Sequence, residues 1–358
     1  MKIALVHYTY APIVGGVERV TEEHARLFAA HGHEVTVFCQ RGESDDPRVK
    51  VRRLADAAAL AEQDVVFVHN VMTMPFDLPL TEALARIAEA QPHVRFVAWL
   101  HDIAAVNPDY FPSPEAAPLM LRRALPRWGY VAVSDIRAAQ WLALTGVKCR
   151  VVPNGIEPAR VLGLPANVAR LADTFSLLDG RLVLLHPARL LRRKNIECSL
   201  RIAAALQAHA PTALLVTGAA DPHNPASRDY AAWLHGERAR LGVEREAIFV
   251  GEHFAVGDAE LAALYRLADA LLFPSHSEGF GLPLLEAALH RLPVFCSDIE
   301  PLRSIAPSGT TFIPHDAAAA SALIQQRLGV LAKRSTLAHF GWPAIYAEHL
   351  APLLAASR

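Results

Sequence analysis

The chain has 358 residues, 52% of them hydrophobic and 20% charged, with a formal net charge of −1. That length suits two cored domains, the balanced charge argues against nucleic acid as a main partner, and no apolar run approaches the roughly 18 residues that span a bilayer. Four isolated cysteines, Cys39, Cys149, Cys198 and Cys296, form no C-x-x-C pair, which sets aside zinc and dithiol chemistry and fits small core residues in a reducing compartment.

In chain order, MKIALVHYTY carries one positive charge and a short apolar run, and reads as a first strand rather than a signal peptide. A loop with Pro12, Gly15 and Gly16 follows, then an amphipathic helix from about Val17 to Ala30, ended by His31-Gly32-His33. EVTVFC, DVVFVHN, VRFVAWLH, YVAVS and CRVVP are the next strand candidates, each closing near a polar residue or turn. This alternation predicts a parallel sheet covered by helices. Ligands of such sheets bind past the carboxyl ends of the strands, where His7, His69, Asn70, His101, Ser134 and Asn154 fall. After Asn154-Gly155 a linker-like stretch with two prolines joins the halves near residues 155–180. The alternation restarts at RLVLLHPARL and continues through ALLVTGA, AIFVG, ALLFPS and PVFCSD. Ala317–Ala322 reads as a helix start, and Trp342–Leu354 as a final amphipathic helix.

Three segments carry chemistry. PSHSEGFGLPLLEAA, from Pro274 to Ala288, follows a buried strand. Its Gly279-Phe280-Gly281 turn leads to Pro283, suited to the first turn of a helix. Free N–H groups at such a helix start, with the helix dipole, suit a diphosphate. Glu278 stands before the turn and Glu286 is expected in the first helical turn, both able to accept from sugar hydroxyls. HPARLLRRKN, from His186 to Asn195, places Arg189 and Lys194 in the loop after a strand. Cations there would stabilise a leaving diphosphate without a metal, although a solvated basic loop has the same composition. APIVGGVER, from Ala11 to Arg19, sets paired glycines between strand and helix, where backbone can approach a phosphate; it is not the G-x-G-x-x-G fingerprint.

Gly15-Gly16 after the first strand, Arg189-x-x-x-x-Lys194, and Glu278-x7-Glu286 inside EGFGLPLLEA together resemble the family 4 retaining glycosyltransferases of the GT-B fold, within the group 1 glycosyltransferases. The likeness covers nearly the whole chain. It implies an α/β fold of two Rossmann-like domains facing across a cleft: 1–160 on the acceptor side, 161–340 binding a nucleotide sugar, and 341–358 as a helix crossing back to the first domain. By the same resemblance, Arg189 and Lys194 grip the donor diphosphate and Glu286 hydrogen-bonds the ribose. Glu278 contacts the transferred sugar. Backbone at Gly15, Gly16, Phe280, Gly281 and Leu282 adds donors, and Gly251–Val256 lines the base. His101, in WLHDI, resembles the family's histidine at the transfer centre. The implied reaction is front-face substitution from a nucleoside-diphosphate sugar, with glucose and mannose as the expected hexoses, no metal and no cofactor. The family often has glycine where Ala188 and Arg291 stand.

The acceptor, whether saccharide, lipid-linked or small molecule, has no readable code; loops Thr9–Val14, His69–Phe76 and Asp102–Phe111 are its expected contacts. The donor base and oligomeric state are equally unmarked. Alternatives are a nucleotide-sugar epimerase or hydrolase of the same fold, and a non-catalytic nucleotide-sugar-binding protein. No Asp-x-Asp, H-E-x-x-H or G-x-S-x-G is present, and neither His31/His33 nor His223 belongs to a complete metal set. Met120–Trp128, MLRRALPRW, reads as a surface helix with arginine stems over apolar surface, and leaves open a peripheral contact at the inner face of a membrane. The cytoplasm is the expected location. Ala220–Asp229 is a long polar segment, read as a surface loop.

Overall fold

The computed structural model describes residues 1–218, 225–329 and 331–355. The chain divides into two units: Met1–Gly155 joined by the segment from Trp342, and Ile156–Gly341.

The first unit holds a seven-stranded sheet: β1 (Lys2–Val6), β2 (Glu34–Cys39), β3 (Val49–Arg53), β4 (Val65–His69), β5 (Arg95–Leu100), β6 (Gly129–Ala132) and β7 (Arg150–Val151). Their spatial order is β3-β2-β1-β4-β5-β6-β7, and every pairing is parallel. β4, VVFVH, is buried along its length, as a strand covered on both faces must be. Helix Gly16–Ala30 packs Val20, Ala25 and Phe28 on one face of the sheet. Leu84 and Ala88 of helix Leu78–Ala90 cover the other. β3 was not anticipated: VKVRR lies at the sheet edge with mostly exposed residues, so it lacks the apolar run that marked the others.

Chain from Trp342 returns to this unit. Trp342–Ile345 and Ala351–Ala355 are α-helical, joined by a π-helical turn over Tyr346–Leu350. Trp342, Ile345, Tyr346, Leu350, Leu353 and Leu354 enter the core beside Phe28 and Trp99. Gly155 makes room for Trp342: a Cβ at residue 155 would stand 2.4 Å from the indole ring.

The second unit holds a six-stranded parallel sheet: β8 (Leu182–His186), β9 (Thr212–Val216), β10 (Ala247–Phe249), β11 (Ala270–Phe273), β12 (Val294–Ser297) and β13 (Thr311–Ile313), in the order β10-β9-β8-β11-β12-β13. Helices Ile196–Gln207 and Ala317–Leu328 cover one face; helices Ala166–Thr174, Asp258–Leu267 and Leu282–Leu289 cover the other. The stretch expected as linker therefore contains a core helix, with Val168, Leu171 and Ala172 buried.

Two local expectations are corrected. Met120–Trp128 forms no α-helix: only a 3-10 turn at Leu119–Leu121 occurs, with Leu121 buried and the Arg122 Nε bonded to the Ala117 carbonyl at 3.1 Å. In Ala220–Asp229, residues 220–224 lie outside the described residues, as does His223, and from Pro225 the chain is helical to Leu241. No helix among the described residues is long and apolar enough to cross a membrane.

Candidate functional site

Each sheet reverses its strand order at one point, between β1 and β4 in the first unit and between β8 and β11 in the second. Chains leaving adjacent strands there diverge to opposite faces and open a crevice at the carboxyl ends. The chemistry-bearing segments leave the strands that flank these two points.

In the second unit, β8 ends at His186 and β11 at Phe273. Lys194 and Glu278, far apart in sequence, meet there: Lys194 Nζ donates to Glu278 Oε1 at 2.6 Å. The same oxygen accepts from Ser275 Oγ at 2.7 Å, and Arg193 Nη1 reaches Glu278 Oε2 at 3.3 Å. The Glu278 side chain is 6% exposed and that of Lys194 12%, so the pair is poorly screened by solvent. Lys194 Nζ also stands 5.0 Å from the Phe273 ring centroid. The loop geometry depends on Asn195, which takes the left-handed conformation (φ 53°) and donates from Nδ2 to the Pro274 carbonyl at 2.9 Å. That bond ties the β8 loop to the end of β11.

Four residues past the Glu278 cluster, helix Leu282–Leu289 begins with Gly281 as its N-cap, in the left-handed region (φ 108°), with Pro283 in the first turn. A Cβ on Gly281 would lie 2.4 Å from Leu302 Cδ2, so only glycine fits. Among the described residues no side chain caps this helix, and its positive end is suited to an anion. Phe280 and Leu282 flank it, 50% and 58% exposed. Glu286 lies in the second turn rather than the first; its Oε2 accepts from Tyr265 Oη at 2.7 Å. Arg189 is exposed and makes no ion pair among the described residues.

In the first unit a cavity of about 680 Å³ opens past β1, β4 and β5, lined by His7, Tyr8, Thr9, Gly16, Glu18, Gln40, Asn70, Phe76, Asp77, His101 and Asp102, among others. Asn70, left-handed at φ 61°, accepts from the backbone N–H groups of His101 and Asp102 at 2.9 and 3.0 Å. It thereby fixes the chain just past β5. His101 is 8% exposed and shares a hydrogen bond with its neighbour, His69 Nδ1 to His101 Nε2, at 3.1 Å. Burial holds the His101 imidazole down at about 3, and pushes His69 well below its usual value. Both are therefore neutral near pH 7. His7 Nδ1 bonds the His69 carbonyl at 2.9 Å. Its Nε2 stands 3.7 Å from Glu18 Oε1, which accepts from Thr9 Oγ1 at 2.5 Å.

The structure thus brings Lys194, Glu278 and the Phe280–Leu282 helix start into one locality of the second unit, with Glu286 a turn farther along the helix. Gly16 and His101 share the first unit's cavity, while Gly15 borders a smaller hollow beside Arg19 and Glu22. Sequence reasoning did not reach Glu18, Ser275, Tyr265 or the Asp102–Arg137 ion pair (2.7 Å). Of these, Glu18 lies within APIVGGVER and Ser275 within PSHSEGFGLPLLEAA, the latter legible as a hydroxyl three residues before a carboxylate. Among the described residues no group of three or more His, Cys, Asp or Glu side chains is arranged to hold a metal ion.

Comparison with known proteins gives two family matches. Residues 172–333 match the family described as "Glycosyl transferases group 1", and residues 14–160 match "Glycosyltransferase Family 4". The chain is similar to glycogen synthase of Mycobacterium tuberculosis, 24% identical over all of this chain and 95% of that protein. It is also similar to D-inositol 3-phosphate glycosyltransferase of Stackebrandtia nassauensis, 25% identical over 86% of this chain and 78% of the relative. Among solved structures, HepE of Anabaena in complex with UDP and glucose aligns over 99% of this chain and all of its own, at 18% identity and a TM-score of 0.40.

Proposed function

The chain belongs to the group 1 glycosyltransferases of family 4, with their GT-B fold, and on that premise we propose that it transfers a hexosyl group from a nucleoside-diphosphate sugar to an acceptor hydroxyl, with retention and without a metal. The observation that carries the reading is the Lys194–Glu278 pair (2.6 Å) beside the uncapped helix start at Gly281. One cation, one carboxylate and an open helix N-terminus are what a diphosphate carrying a sugar requires: positive charge for the phosphates and an acceptor for sugar hydroxyls.

Lys194, with Arg189, holds the diphosphate. When it does, Glu278 gives up its lysine partner and keeps Ser275 on Oε1 and Arg193 on Oε2, with further lone pairs for the sugar. Glu286 accepts from the ribose, held in place by Tyr265. His101, neutral and bonded on one side to His69, serves the transferring sugar as a hydrogen-bond partner rather than as a charged acid. In the step itself the bond between the anomeric carbon and the diphosphate oxygen breaks, its electron pair leaving on the diphosphate. The acceptor oxygen bonds the anomeric carbon on the same face, and the hydroxyl proton passes to the departing phosphate oxygen. Positive charge at Lys194 and Arg189 stabilises the leaving group as it gains charge.

The test is thermal unfolding of the pure chain against UDP-, GDP- and ADP-sugars in the presence of a chelator, since a ligand of the folded state raises Tm by mass action. One nucleotide series should give a clear shift, and Lys194→Ala should weaken that binding at least about ten-fold by removing a charge-assisted contact. No shift with any series, from folded protein, would sink the donor assignment. Release of nucleoside diphosphate that depends on acceptor separates a transferase from a hydrolase, and the anomeric configuration of the product, read by NMR, tests retention.

A further inference from the structure

The cavity of the first unit has a charge character that bears on the acceptor. Among the described residues three carboxylates line it, from Glu18, Asp77 and Asp102, and no lysine or arginine does. Asp102 is neutralised by Arg137 at 2.7 Å. Glu18 and Asp77 are not: Glu18 is held by Thr9 Oγ1, and Asp77 by Gln40 Nε2 at 2.9 Å and the Leu80 N–H at 3.0 Å. All three of those donors are uncharged. The two lining histidines add no cation, because burial lowers the pKa of both His7 and His101.

A second, independent feature points to a ligand. His101 lines the cavity while more than nine-tenths buried; its Nε2 is taken by His69, and its Nδ1 makes no hydrogen bond among the described residues. An apolar wall stands with it. Phe76 is 61% exposed and meets Tyr8 edge-on at 5.6 Å between centroids. Aromatic rings of this kind pack well against the C–H faces of a sugar, while carboxylates and a neutral imidazole pair with its hydroxyls.

We propose that this cavity receives the acceptor as an uncharged polyol, a sugar ring bearing no phosphate or carboxylate, with its hydroxyls on Glu18 and Asp77 and its apolar face on Tyr8 and Phe76. The inference rests on the glycosyl-transfer reading and narrows it. An anionic acceptor would set its charge against two carboxylates that have no cationic side-chain partner among the described residues, in a partly enclosed space where like charges repel more strongly than in bulk water. Selection against it is built from that repulsion, and not from contacts to the favoured ligand alone.

The experiment uses the full chain saturated with the nucleotide sugar that stabilises it. Matched acceptors are compared: methyl mannoside with mannose 6-phosphate, methyl glucoside with glucose 6-phosphate, and myo-inositol with an inositol phosphate. Binding is read by saturation-transfer NMR and turnover by release of nucleoside diphosphate. The neutral member of a pair should be preferred at least about ten-fold. Glu18→Gln and Asp77→Asn should narrow that preference at least about three-fold, because each removes charge and keeps shape. Glutamine still accepts from Thr9, and asparagine caps a helix as well as aspartate does. Equal or better use of the phosphorylated members, an unchanged preference in both variants, or no binding of any neutral saccharide overturns the proposal. If no nucleotide sugar binds at all, the transferase reading itself fails. If nucleotide sugars bind and phosphorylated acceptors win, only the present inference does.

Discussion

Four histidines crowd the first unit: His7, His24, His69 and His101. His24 is fully buried on helix Gly16–Ala30, its ring 4.7 Å from Trp99 and 5.4 Å from Trp342. Neither of its ring nitrogens has a hydrogen-bond partner among the described residues. Burial holds its imidazole at about 3, against 6.5 when unfolded. A folded pKa below the unfolded one means that the unfolded chain binds the proton first as pH falls. Stability is then full above pH 6.5 and declines below it, by about 1.4 kcal/mol per pH unit for one such histidine, until pH nears the folded value. His24→Leu should therefore flatten the acid limb of a urea-midpoint-against-pH curve between pH 6 and 4 and cost little at pH 7, since it removes two unbonded polar atoms. An unchanged slope would show that His24 is not the buried neutral group described. His69 and His101 could be placed from sequence because each ends an apolar run. His24 could not: helical spacing puts it with Val20 and Phe28 on the buried face, but an ionisable residue there is named by tertiary packing, not by pattern.

At the level of elements, the helix after the Glu278 motif ends as instructively as it begins. The Arg291 N–H bonds the Ala288 carbonyl and the Leu292 N–H bonds the Ala287 carbonyl, both at 2.9 Å, a Schellman ending that calls for a left-handed residue. Arg291 occupies that position at φ 59°, where the family often carries glycine. Arg291→Gly should raise stability by about 0.5–1 kcal/mol, the cost of holding a side-chain-bearing residue there; a fall in the urea midpoint would contradict it. The departure seen in the sequence is thus a strained helix end, away from Glu278 and Lys194. Elements with strong apolar runs were legible, β1, β4, β5, β8 and β11 above all, and with them the strand ends that carry the candidate site. β3 and β13 were not, being edge strands that need bury only part of their surface. The Lys194–Glu278 contact was legible as two motifs but not as a pair, because only strand order sets β8 beside β11.

For the molecule as a whole, the alternation of runs foretold two α/β halves, while the helix Ala166–Thr174 hid inside a proline-bearing stretch because its three buried residues are too few to announce a core. The returning segment from Trp342 matters more to stability. It contributes six apolar side chains to the first unit's core, and full burial of each is worth about 1.5–3 kcal/mol. Their sum rivals the total stability of a typical domain, about 5–15 kcal/mol. A chain cut after Gly341 should leave the first unit without near-UV circular dichroism from its tryptophans and open to proteolysis; a protease-resistant first unit would show the segment to be dispensable. Gly155 and Trp342, fitted together at the crossing, also order events in time. A ribosome delivers Met1–Gly155 first, yet this unit is completed only by residues made after the whole of Ile156–Gly341. The second unit, contiguous in sequence, can close while the first still waits with an open apolar face. This reverses the usual amino-terminal-first order of domain folding during synthesis and makes the earliest-made half the one most exposed to chaperones.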